Sequence, residues 1–110
     1  MRMATSDPGL DRHEWESELA TLEPDLESDP AGALPDLARL VERMARERGL
    51  LADGGTEPGG DPEIVAELRS GRDVARRLEV GDEVDPGDIA NAIAGLRSVY
   101  EHVIAARGAP

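Results

Sequence analysis

The stretch Asp85-Pro86-Gly87-Asp88-Ile89-Ala90-Asn91-Ala92-Ile93-Ala94-Gly95-Leu96-Arg97-Ser98-Val99-Tyr100-Glu101-His102-Val103 decides the fold. Its apolar residues Ile89, Ile93, Leu96, Tyr100 and Val103 recur in alternating four- and three-residue steps, flanked by Ala92, Val99 and Ala106. That spacing puts them on one face of a helix. The Asp-Pro pair in front marks where the helix begins. The aspartate accepts hydrogen bonds from the free N–H groups of the first turn, and its charge suits the positive end of the helix dipole. Proline at the first helical position gives up an N–H that would have no partner there.

The same pair stands at Asp7-Pro8, Asp29-Pro30 and Asp61-Pro62, so four helices are predicted in 110 residues. From Pro62, the residues Ile64, Leu68, Ala75 and Leu78 share a face, with Gly71 in the seam. Gly81 and Gly108 occupy expected C-cap positions. The link from Val80 to Val84 is short, which predicts an antiparallel hairpin of the last two helices. Gly71 and Gly95 lie inside these helices at about 1 kcal/mol each relative to alanine. Small residues at facing positions would let two helices approach closely.

The second helix carries Leu37, Leu40, Val41 and Met44 and ends near Gly49. Pro35 lies too deep for a helix begun at Pro30, so a turn is expected over 30–34 and the main helix from about 35. The first helix carries Trp15, Leu19 and Leu22. Pro24 should end or kink it, with Leu26 continuing the phase weakly. Ala52 to Gly60, ADGGTEPGG, reads as a linker between two helix pairs. No alternating β-branched or aromatic run signals a strand. The expected architecture is all-α: one domain over 1–110, a small bundle of about four helices arranged as two helical hairpins, without β-sheet. Residues 1–9 and 108–110 are expected to be loose.

Composition narrows the function classes. Twenty-four acids against 12 bases, all arginine, give a net charge of -12. That excess argues against binding nucleic acid or anionic membrane. It is uneven: ten acids and two arginines over residues 1–36 leave -8 there and -4 in the remainder. The chain has no cysteine, which removes disulfides and thiolate chemistry, and it fits a cytoplasmic setting. No stretch approaches the roughly 18 apolar residues of a membrane span, and Met1 to Leu10 lacks the apolar run of a signal peptide. Much of the apolar content is alanine, so the core rests on Leu, Val and Ile with Trp15 and Tyr100. Such a core is marginal for a lone monomer and motivates self-association or a protein partner.

Catalytic and cofactor patterns find little support. His13 with Glu16 offers a two-residue start to a metal site, but neither histidine has a glutamate three residues before it, and no His-Glu-x-x-His occurs. Gly81 to Asp88 has a glycine where a calcium loop needs one, yet Val84, Pro86 and Ile93 fall on ligand positions. The glycine pairs Gly54-Gly55 and Gly59-Gly60 lack a phosphate-loop lysine, and no serine sits in Gly-x-Ser-x-Gly. No cofactor and no metal are expected, and catalysis is not expected.

Arg97-Ser98-Val99-Tyr100-Glu101-His102, an arginine and a histidine separated by four residues on a late helix, resembles the motif of the HEPN ribonucleases. The resemblance covers six residues and departs from the usual pattern at Ser98. It implies, as the alternative function, a dimeric ribonuclease using Arg97 and His102.

Two features point instead to protein interaction. Arg69, Arg72 and Arg76 form one stripe with Arg77 beside it, and Arg39, Arg43 and Arg46 form another. Each could dock an acidic partner or phosphorylated ligand, or pair within the chain with Asp36, Glu47, Glu67, Asp73 or the acidic N-terminal segment. Trp15, Leu19 and Leu22 amid acids form an amphipathic face that could enter a basic-rimmed groove on a partner, or could close the bundle core. The leading expectation is a small acidic non-catalytic interaction, regulatory or accessory protein whose partner is a protein or a second copy of itself.

Overall fold

A computed structural model of the chain describes residues 8–47 and 62–107. They form four helices: α1 (Pro8–Ser28), α2 (Pro30–Glu47), α3 (Pro62–Glu79) and α4 (Pro86–Arg107). Each begins at the proline of an Asp-Pro pair. The expected linker over 52–60 and tail over 108–110 lie outside the described residues. Of the expected loose N-terminus, residues 1–7 also lie outside, while Pro8 and Gly9 open α1.

Asp29 is the only residue between α1 and α2. Its N–H donates to the Asp25 carbonyl at 2.7 Å, closing α1, and its carbonyl accepts from the Ala33 N–H at 3.0 Å, opening α2. Its carboxylate accepts from the Gly32 N–H at 3.2 Å, which serves a free donor of the first turn. One residue thus makes the elbow of the first hairpin. The second hairpin turns at Gly81, whose φ is 90°. The Gly81 N–H donates to the Leu78 carbonyl at 3.1 Å and the Asp82 N–H to the Arg77 carbonyl at 2.9 Å. This double closure is a Schellman cap, and its left-handed position favours glycine.

One sequence expectation is corrected and another is narrowed. α2 runs unbroken from Pro30 through Pro35, rather than starting near 35 after a turn. Pro35 lies just beyond the first turn, so one main-chain bond to Ala31 is lost, and its buried ring packs on the side facing α3. At Pro24, where the sequence predicts an end or a kink, α1 does not end: it continues to Ser28 with Leu26 in phase. Pro24 and Ala20 are both exposed, so the Ala20 carbonyl that loses its N–H partner faces water. The cost of an interior proline, about 3 kcal/mol, is offset by Leu22 and Leu26 packing on either side of it.

The helices alternate in direction. Glu18 lies beside Arg43 across the α1–α2 elbow, Glu79 and Arg72 of α3 beside Arg39 and Glu42 of α2, and Gly71 beside Leu96 across the α3–α4 turn. Consecutive helices therefore run antiparallel, and α2 and α4, which also pack on each other, run parallel. The α1–α2 elbow and the α3–α4 turn therefore share one end. α2 packs against all three other helices. The core joins Trp15 and Leu26 of α1 to Leu34, Leu37, Leu40, Val41 and Met44 of α2, Leu68 and Ala75 of α3, and Ile89, Leu96, Val99, Tyr100 and Val103 of α4. Gly71 and Gly95 do not face each other: Gly71 lies against Leu96, and Gly95 against Glu67. Each glycine makes room for a side chain of the opposite helix.

Candidate functional site

The arginine stripes are largely spent within the bundle. On α2, Arg39 donates to Asp36 at 2.9 Å and to Glu79 of α3 at 2.6 Å. Arg43 donates to both carboxylate oxygens of Glu18 at 2.6 and 2.7 Å, and Arg46 to Glu42 at 3.0 Å. These carboxylates hold the Arg39 and Arg43 guanidiniums charged more firmly than usual, chiefly through the hydrogen bonds from Arg39 to Glu79 and from Arg43 to Glu18. On α3, Arg72 sits 3.4 Å from Glu42, which therefore serves two arginines. Arg69 is exposed, and so is Arg76. Arg76 lines a cleft of about 180 Å³ with Arg39 and Arg72 and makes no ion pair with a described residue.

The acidic N-terminal helix is also committed. Trp15 is 1% exposed and belongs to the core, and Leu19 and Leu22 are half-buried against it. Of the two roles open in the sequence, this placement is the closing of the core. Glu18 and Glu23 on the same helix hold Arg43 and Arg97.

Arg97 forks onto Glu23 at 2.8 and 2.9 Å. That bond lowers the Glu23 carboxyl below its ordinary range and raises the Arg97 guanidinium, with burial opposing both shifts. His102 is half-buried, and five residues along a helix place it about 140° around the axis from Arg97. The two residues of the ribonuclease-like motif therefore leave α4 on different sides. His13 is exposed, and Glu16 beside it is taken by Arg12 at 3.1 Å. Tyr100, next to that pair, has its phenol raised above its ordinary value, mainly by burial and then by the charge of Glu16.

The feature the sequence pattern does not reveal is a hollow of about 450 Å³ at the end shared by the elbow and the turn. Leu26, Pro30 and Ala31 line it from the elbow, and Pro86, Ile89, Ala90 and Ile93 from the first turns of α4, with Asp29 at its edge. Leu26 and Ile89 form a buried floor, whereas Pro30, Pro86 and Ala90 are exposed at the mouth. One signal is available once the bundle's direction is known. The Asp-Pro pairs before α2 and α4 place both helix starts at one end of an up-and-down bundle, so their apolar first turns must meet there.

Among the described residues no group of three His, Cys, Asp or Glu side chains is placed to hold a metal ion, and no helix is long and apolar enough to cross a membrane. No protein-family model, curated protein or solved structure matches the chain.

Proposed function

We propose that the protein is a small, non-catalytic, cytoplasmic interaction or accessory protein that holds a partner protein at the hollow between the α1–α2 elbow and the start of α4. The hollow carries this reading: seven apolar residues, Leu26 and Ile89 at its floor, surround an opening at the surface of a chain in which 33% of residues are charged. Apolar surface in a concavity stays costly until covered, at roughly 25 cal/mol per Å², and such patches mark interaction sites. The large apolar side chains of the helices are otherwise turned into the core, Val80 in the α3–α4 turn being exposed, and many of the arginines are held by carboxylates of the bundle itself. The charge of -12 favours a protein partner over nucleic acid or anionic lipid.

The test is affinity capture from host extract, with the full chain and its Ala90→Arg variant as baits. Ala90 is exposed at the mouth, so arginine there blocks the hollow without entering the core. At least one protein should be retained by the wild type and lost from the variant. Identical sets on both baits overturn the proposal.

A further inference from the structure

The end of the bundle that carries the hollow is also its acidic end. No basic residue occurs between Arg12 and Arg39, apart from His13, or between Arg77 and Arg97. These two stretches hold the elbow and the turn. Asp29 lines the hollow. Asp25 and Glu27 stand next to its Leu26 in the chain, Asp85 next to its Pro86, and Asp88 next to its Ile89, with Asp82 in the turn before them. Asp88 also borders a neighbouring groove with Arg77. None of the six makes an ion pair with a described residue, and all are exposed. Along α4 the next arginine, Arg97, is taken by Glu23. Arg77 at the end of α3 borders the neighbouring groove beside Asp88 without an ion pair to a described residue.

Helix dipoles do not change this balance. α2 and α4 start at this end and α1 and α3 finish here, so two positive ends of about half a charge offset two negative ones. The last turn of α3 also brings Arg76 and Arg77 to this end, but the five aspartates and the glutamate outnumber them and set the sign of the field. A second copy would bring the same acids against themselves and be repelled.

We infer that the occupant of the hollow is a basic amphipathic segment of a partner protein. An apolar side chain of that segment sits over Leu26, Ile89 and Ile93, and lysines or arginines of the same segment lie over the acidic rim. The inference rests on the docking role proposed above and names the chemistry of its partner. The apolar anchor supplies location, and the charges supply attraction and orientation.

The test uses the full ¹⁵N-labelled chain and a synthetic helical peptide of lysine and alanine carrying two leucines one turn apart. Two controls replace the leucines with serine or the lysines with glutamate. The cationic leucine peptide should shift amides confined to residues 25–31 and 82–93. Its affinity should fall roughly tenfold with the serine control and with Ala90→Arg, and should weaken as salt is raised. The Ala90→Arg chain must melt where the wild type does, which keeps a folding failure from passing as a binding one. Shifts spread over the whole surface, or indifferent to the leucines, reduce the effect to bulk acidity and overturn the inference. Equal binding of the glutamate control overturns the basic partner but leaves a docking hollow that the capture experiment can still support. Shifts at the same residues on concentrating the protein alone would seat a second copy there and also overturn it.

Discussion

Gly71 of α3 is matched to Leu96 of α4: a Cβ at Gly71 would lie 2.6 Å from both Cγ and Cδ2 of Leu96. Leu96 is fully buried and has nowhere to retreat. Gly71→Ala gains up to about 1 kcal/mol of helix propensity but overpacks the core at about 1–3 kcal/mol, so a net loss near 1 kcal/mol is expected. Gly95→Ala should have the opposite sign. The atoms a Cβ would meet there belong mainly to the carboxylate end of Glu67, a flexible and exposed side chain. A gain of about 0.5–1 kcal/mol is expected. Denaturant melts of the two variants check both signs, and equal effects would refute the reciprocal packing.

Trp15 is the largest side chain in the core and comes from the most acidic helix. Trp15→Ala should cost about 3–5 kcal/mol, a large part of the stability of a domain this size. Far-ultraviolet circular dichroism in urea is the suitable readout, because the substitution removes the only tryptophan. A loss below about 1 kcal/mol would place Trp15 outside the core.

The Glu23–Arg97 bridge gives stability a pH dependence of definite sign. The folded carboxyl titrates below its ordinary value. Its contribution is therefore complete above the ordinary carboxylate range and is lost as pH falls through the lowered folded value. The pair is exposed by about two-fifths on each side chain, so the contribution is that of a surface bridge, about 0.2–1 kcal/mol. Glu23→Gln should lower stability at neutral pH by this amount and should lose less than the wild type on acidification. Parallel pH profiles would remove the bridge from the account.

Tyr100 carries the complementary prediction at high pH. Burial raises its phenol, so its contribution is complete below about pH 10 and is lost as pH rises through the folded value. As the only tyrosine, its ionisation can be followed by ultraviolet absorbance. The folded chain should ionise at higher pH than the chain in denaturant, and coincident midpoints would contradict the burial.

The sequence was most legible where local chemistry acts alone. Four helices start at the prolines of Asp-Pro pairs because the missing proline N–H is harmless in a first turn, and at Asp29 the side chain caps the turn as well. Gly81 ends α3 for an equally local reason, its positive φ. Reading failed where tertiary packing overrides local cost, as at Pro35, which gives up one main-chain bond inside a helix held by its buried face; at Pro24 the sequence leaves an end or a kink open, and the helix runs on. The ion-pair partners were only partly legible. Asp36 and Glu42 are one turn from their arginines, but Glu79 is 40 residues from Arg39 and Glu23 is 74 from Arg97. The hollow was hidden for the same reason, since Leu26 and Ile89 meet only when two hairpins share an end.

The acidic helix α1 is part of the core, which leaves the hollow at the elbow, rather than Trp15, Leu19 and Leu22, for the docking proposed above. Amide hydrogen exchange on the intact chain measures this directly. The amides from Trp15 to Leu26 should open with the global unfolding free energy, as those around Leu37 to Met44 and Leu96 to Val103 do. If the α1 amides exchange orders of magnitude faster while α2 and α4 stay protected, α1 is a detachable element and the account is contradicted.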